Sequence, residues 1–215
     1  MNKLILISSL LLSSLFLFQF QLQAQDTLRN KKGGDYLFTV QKDIEANEVQ
    51  NQNRTGTCWS FSALSFIESE LIRTGKGKHK LSEMYVVRKA YEDKAENYVR
   101  MHGATNFGQG GAFHDIPHVI KKYGIIPQEA YKGLNYGLES HNHGEMETVL
   151  KNMLDAVIKN KQGQLTTSWK AAFNAVLDAY LGPIPESFTY QGKEFTPMSF
   201  ATSLELNMDD YVVVT

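Results

Sequence analysis

The chain has 215 residues, a formal net charge of -1, charged residues at 21% and one cysteine. It carries no basic field to recruit nucleic acid and no acidic tract to act as a solvating brush, so peptides or small molecules are the expected partners. A single cysteine also excludes an internal disulfide framework.

The first residues read as a targeting segment. A short start at Asn2 and Lys3 precedes an apolar run from Leu4 to Phe20, and Ala24 in "QLQAQD" stands at a cleavage point. Residues 1–24 are therefore expected to be a signal peptide, with export to the periplasm or the exterior. The run is too short and too poorly flanked for a stop-transfer helix, and no later stretch reaches spanning length, so no membrane association is expected once it is removed. About 190 residues remain, the size of one domain, assigned to residues 25–215.

After a "KKGG" turn, Tyr36 to Val40 reads as a strand. "NQNRTGTCWSFSALSFIESEL" then leads into a helix whose apolar residues Phe61, Leu64, Phe66, Ile67, Leu71 and Ile72 give a surface too wide for one wet face. That predicts a central helix, stopped by Gly75. "GKGKHK" is a solvated basic loop. Ser82 and Glu83 open a second helix with Met84, Val87, Tyr91, Ala95 and Tyr98 on one side, ended by Gly103. "GATNFGQGG" is a loop, and "AFHDIPHVIKKYG" a third helical stretch, interrupted by Pro117 and closed by Gly124.

The clearest helical spacing is Met146, Val149, Leu150, Met153, Leu154, Val157 and Ile158, stopped by Gly163. A partner follows from Thr167 or Ser168, with Trp169, Ala172, Phe173, Val176, Leu177 and Tyr180 inward. The two make a helix hairpin. "SFTYQGKEFTP" alternates around Gln191 and Gly192 as a β-hairpin, a short helix follows Pro197, and "DDYVVVT" reads as a buried strand. A chain stopping inside such a strand is expected to be incomplete.

Cys58 has two readings. A lone cysteine is ordinarily a small buried hydrophobe. This one stands at a helix start, where the partial positive charge favours a thiolate and unpaired N–H groups point at the position of an oxyanion. Gly56 permits close backbone approach, and Gln52, six residues before Cys58, can place its side-chain N–H beside the backbone donor as the second half of an oxyanion hole.

The Gln-x5-Cys-Trp spacing resembles the active-site segment of papain-like cysteine peptidases. "NQNRTGTCWSF", "LSEMYVV" and "GQGGAFHDIPHVIKKYGIIPQEAY" are similar to the bleomycin hydrolase and aminopeptidase C branch, with Thr55 where many papain relatives keep a disulfide cysteine. Residues 144–182, "GKEFTP" and "DDYVVVT" resemble that branch's helical insertion and its return to the core. The resemblance implies an α+β, papain-like fold, represented here by its mostly helical first lobe and insertion, with the β-rich second lobe largely absent.

It also implies Cys58 as acylated nucleophile, with Gln52 and the Cys58 N–H as oxyanion donors. Gly110 and Gly111 would be the bare backbone that pairs with the substrate's main chain, with Trp59 packed beside the site. The implied activity is a cysteine peptidase acting from the amino end of peptides, without a cofactor or metal, in a homo-oligomer that is hexameric in that branch. Such chemistry needs an imidazole and an Asn or Asp to orient it, and the family takes both from the second lobe.

None of the six histidines, His79, His102, His114, His118, His141 and His143, has the right context. His114 and His118 lie one turn apart but lack a third metal ligand. "HNHGE" is contiguous, unlike the dispersed ligands of HNH nucleases, and reads as a helix entry. The alternative function is a non-catalytic, truncated paralogue serving as a binding or assembly module.

Overall fold

The computed structural model describes residues 27–29, 31–160 and 163–212, so the expected signal segment lies outside the described residues. The chain forms two compact units, one up to Ile44 and one from Glu45 onward. In the first, β1 (Thr27–Arg29) pairs antiparallel with β2 (Leu37–Thr39), Leu28 opposite Phe38. The turn between them is closed by Gly34 N–H on the Lys31 carbonyl at 2.9 Å and by Arg29 on the Gly34 carbonyl at 2.7 Å. The strand expected at residues 36–40 thus forms over 37–39, with a partner in a region that reads as loop.

The second unit holds helices α1 (Cys58–Arg73), α2 (Glu83–Arg100), α3 (Asp115–Tyr123), α4 (Gly144–Ile158), α5 (Ser168–Leu181) and α6 (Pro197–Ser203), with a hairpin of β3 (Phe188–Tyr190) and β4 (Lys193–Phe195) before α6. Helices dominate and the sheets are two-stranded, which is the α+β organisation expected. The central helix, however, is α2 and not α1, since α2 packs against α1, α3, α4 and α5. Its sequence permits this. Ser82 caps it by accepting from Tyr85 N–H at 3.1 Å, and Met84, Tyr85, Val86, Val87, Ala90, Tyr91, Ala95, Tyr98 and Val99 are all buried. Full burial of one large apolar side chain is worth roughly 1.5–3 kcal/mol, so this helix anchors the unit.

Arg88 on the same helix is buried with its charge met. It donates to the Gly182 carbonyl at 3.1 Å and pairs with Asp178 of α5 at 2.8 Å and Glu92 at 3.3 Å. The hairpin turn has Gln191 and Gly192 both at positive φ, 49° and 77°, the conformation that matches the twist of two-residue hairpins.

Three expectations change. Pro117 does not interrupt α3, because it is the third residue of that helix, where an N–H has no intrahelical partner to lose. The inward face of α4 is narrower than the spacing predicts: Met146, Leu150 and Leu154 are buried, whereas Val149 is 41% exposed. Met153, Val157 and Ile158 are half-buried against the core formed with α2 and α5. At the end of the described chain, Met208–Asp210 form a 3-10 turn and Val212 is exposed, so the buried strand expected in "DDYVVVT" is not formed by Tyr211 and Val212. Val213–Thr215 lie outside the described residues.

Candidate active site

The loop before α1 is held by its own polar groups. The Gln52 side-chain amide donates to the Thr55 carbonyl at 2.5 Å, and the Thr55 hydroxyl donates back to the Gln52 carbonyl at 2.9 Å. Asn53, at φ 55°, turns the chain, its N–H held by the Asn51 side chain at 2.8 Å. Asn tolerates this left-handed geometry better than most residues. Thr55 and Thr57 are buried and share a hydroxyl hydrogen bond at 2.5 Å. Thr57 spends its side chain there and does not cap α1. The first-turn N–H groups around Cys58 are therefore left without a capping side chain, the arrangement that favours an anion at a helix start.

Cys58, the first residue of α1, is exposed, so the buried-hydrophobe reading fails. Its thiol borders a recess of about 250 Å³ lined by Glu48, Val49, Gln50, Phe61, Ser62, Ser65, Glu68 and Glu83. The face of α1 carrying Cys58, Ser62, Ser65 and Phe66 is open, with Phe66 44% exposed. The expectation of a helix covered all round is corrected here. Two buried carboxyls, Glu68 and Glu83, close the inner side of the recess. Burial lifts Glu68 above the usual carboxylate range, against hydrogen bonds from Leu81 N–H and Asn47, both at 2.7 Å. Burial also pushes Glu83 up to about 7, and the negative charge of Glu68 adds to the effect.

Trp59 is buried, and its indole N–H donates to the Gln109 carbonyl at 2.9 Å, which brings residues 108–112 against the helix start. There Gly111 lies flat on the indole: a Cβ would stand 2.5 Å from Trp59 Cε2 and 2.8 Å from Asp115 Oδ2. Gly110, in contrast, faces open space. Lys94 of α2 donates to the Gly108 carbonyl at 3.3 Å and to the Gly110 carbonyl, with its ammonium 5.4 Å from the centre of the indole. Burial holds this lysine below its ordinary pKa. The structure thus gathers Cys58, Trp59, Gly110 and Gly111 about one helix end, with Gln52 in the entering turn. Gly110 offers room for a ligand, while Gly111 serves the packing of Trp59.

All six histidines fall within the described residues, and none lines the Cys58 recess. His79 meets the Tyr190 hydroxyl at 3.1 Å and the Lys76 carbonyl at 3.0 Å, and His118 meets Asp93 at 2.9 Å. His102 sits at φ 50° in the turn after α2 and His114 immediately precedes α3. "HNHGE" is a helix entry, as its sequence suggests, but a more deeply buried one. His143 is fully buried with neither ring nitrogen hydrogen-bonded, its ring 5.9 Å from that of His141. Burial depresses His143 to about 4. Sequence reasoning also missed Gln109, which accepts from Gly56 N–H in the turn before Cys58, and Glu147, which accepts from Gln109, because these contacts span long separations and leave no local pattern.

The model of the Peptidase C1-like family matches residues 19–170. Curated relatives include "Aminopeptidase C" of Lactobacillus delbrueckii subsp. lactis, 25% identical over 83% of this chain and 47% of the relative. "Aminopeptidase C" of Streptococcus thermophilus is 22% identical over 90% of this chain and 51% of the relative. "Cysteine proteinase 1, mitochondrial" of Saccharomyces cerevisiae (strain YJM789) is 26% identical over 53% of this chain and 28% of that protein. The chain therefore belongs to the Peptidase C1-like family of cysteine peptidases, in its bleomycin hydrolase and aminopeptidase C branch. It spans about half the length of the aminopeptidase C relatives it matches.

Proposed function

We propose that the chain carries the nucleophile half of a cysteine-type aminopeptidase, with Cys58 forming a thioester to the acyl part of the substrate. The observation that carries the reading is an exposed thiol on the first residue of a helix whose first turn lacks a side-chain cap. The thiolate attacks the peptide carbonyl carbon, and the negative charge moves to the carbonyl oxygen. The Cys58 N–H and the second N–H of the Gln52 amide are the donors assigned to that oxygen. The C–N bond then breaks, the amine leaves with a proton, and water hydrolyses the thioester to free acid and thiol. Substrate backbone would run along Gly110, where nothing obstructs a neighbouring chain.

The proton for the amine needs an imidazole, and none of the chain's histidines lines the recess. The proposal therefore places the general acid and its orienting side chain on polypeptide outside these 215 residues, with the open face of α1 turned toward it. Export through residues 1–24 and assembly into a homo-oligomer belong to the same proposal.

The missing imidazole also favours a second reading, a non-catalytic module that binds or assembles through this surface. Peptide turnover by the full-length protein separates the two. Cys58→Ala is expected to abolish it with the fold intact, and Gln52→Ala to lower kcat by about 10²–10³ with little change in KM. Turnover that survives Cys58→Ala would remove the nucleophile assignment.

A further inference from the structure

We infer that Gln109 and Glu147 are positioning residues for the Cys58 chemistry, which makes the inference rest on the peptidase reading above. They form a hydrogen-bonded chain from α4 to the turn that aims the donors at the helix start.

Gln109 grips both flanks of the nucleophile. Its side-chain oxygen accepts from Gly56 N–H at 2.7 Å, and its backbone carbonyl accepts the Trp59 indole N–H at 2.9 Å. Gly56 is two residues before Cys58 and Trp59 is the next one after it. The Gln109 side-chain amide donates in turn to the Glu147 carboxylate on the first turns of α4. Glu147 is itself placed by its N–H on the His143 carbonyl at 2.9 Å, and His143 N–H reaches the Arg54 carbonyl at 3.3 Å. The path thus starts and ends in the loop that carries Gln52.

The chemistry of each partner fixes the arrangement. Gly56 N–H is met by an acceptor and the carboxylate by a donor, and one amide in one orientation serves both. A glycine at 56 suits the contact, because a Cβ there would stand 3.0 Å from Gln109 Cβ. On its other side Thr55 and Thr57 tie the turn to itself, and Arg54 ties its start to the backbone of His141 and His143. Without Gln109 the Gly56 N–H loses its bond to a residue outside the turn, and the direction of the Cys58 N–H follows the peptide planes from Gly56 to Cys58. Displacement of a catalytic group by about 1 Å costs on the order of 10²-fold in rate.

The test uses the full-length protein, peptide turnover and thermal melting. Gln109→Glu sets two carboxylates against each other, so kcat is expected to fall roughly 10–100-fold, within the range expected for a misplaced group. KM should stay within about twofold, because a group acting on the transition state leaves ground-state binding alone. Adding Glu147→Gln to that variant returns a donor opposite a carboxylate and should restore most of kcat. Glu147→Gln alone keeps an acceptor for Gln109 and should remain close to wild type. A merely structural role predicts changes that follow the melting temperature and no recovery in the double variant. Unchanged kcat in Gln109→Glu, or failure of the double variant to recover while Glu147→Gln is active, overturns the positioning role. Absence of Cys58-dependent turnover in the wild type overturns the peptidase reading first, and the role with it.

Discussion

Glu83 gives the most direct physical test of the recess. It is the first residue of α2, 5% exposed, with Gln128 3.4 Å from its carboxylate and the Ser60 hydroxyl bonded to its backbone carbonyl at 3.0 Å. Its pKa stands at about 7 in the fold against an ordinary 4.5. The folded state therefore binds the proton more tightly. The contribution to stability is complete below about 4.5, erodes as pH rises and is lost above about 7. At 1.36 kcal/mol per tenfold change in proton affinity, the loss is up to about 3 kcal/mol. Glu68 titrates in the same direction. His143, depressed to about 4, pulls the other way, because its contribution is present above its ordinary 6.5 and lost as pH falls through 4. The wild-type profile mixes these, so the informative quantity is the difference from Glu83→Gln, which keeps the shape and cannot ionise. Urea unfolding at pH 4.5, 6, 7 and 8.5 should show the variant more stable by about 2–3 kcal/mol at the highest pH, with the gap closing toward pH 4.5. A gap independent of pH, or one that widens in acid, would refute the assignment of Glu83 as the buried proton holder.

Other outcomes follow from the same coordinates. Gly111→Ala drives a methyl into the indole of Trp59, whose N–H is tied to Gln109. It should cost about 2–4 kcal/mol in unfolding free energy, from overpacking plus the strained hydrogen bond. A Cβ at Gly110 would meet no atom within 4 Å, so Gly110→Val should leave the melting temperature nearly unchanged while raising KM for peptides. A normal KM there removes residue 110 from the substrate edge. His143→Leu replaces a fully buried ring lacking hydrogen bonds with an apolar side chain, so acid unfolding should begin at lower pH than in wild type, followed by circular dichroism from pH 7 to 3. The 215-residue chain by itself should alkylate at Cys58, which is exposed, yet show no peptide turnover, because no histidine lines the recess. Turnover by that chain, abolished in Cys58→Ala, would show that one of the six histidines reaches the thiol after all.

The legible parts of this molecule are those whose cause is local. Ser82 before an apolar periodic run, Gln191 and Gly192 between alternating strands, and Pro197 at the start of the last short helix each state their structure within a few residues, and the cap, the turn and the helix start form as those patterns require. Cys58 at a helix start was readable for the same reason. The rest is set by distant partners. Whether α1 or α2 is central depends on which faces the other helices cover, and both sequences carry a wide apolar surface. Gly110 and Gly111 read as equivalent, yet a Cβ at the first would meet no atom within 4 Å and a Cβ at the second would strike the indole. The difference comes from Trp59, about fifty residues earlier in sequence.

The same separation governs the site itself. Cys58, the turn before it and the glycine segment are brought together by polar contacts between Gly56 and Gln109 and between Gln109 and Glu147, spanning 53 and 38 residues. Each contact joins two ordinary polar loop or helix residues, so nothing in composition or periodicity marks them. Reading Thr55 against the disulfide cysteine of papain relatives shows only that a covalent tie is lacking. In its place the fold uses hydroxyl bonds from Thr55 inside the turn and an amide clamp from Gln109 across it. A clamp of this kind is reversible and depends on the placement of Glu147 on α4. Helix α4 is thus bonded, through Gln109, to the turn before Cys58.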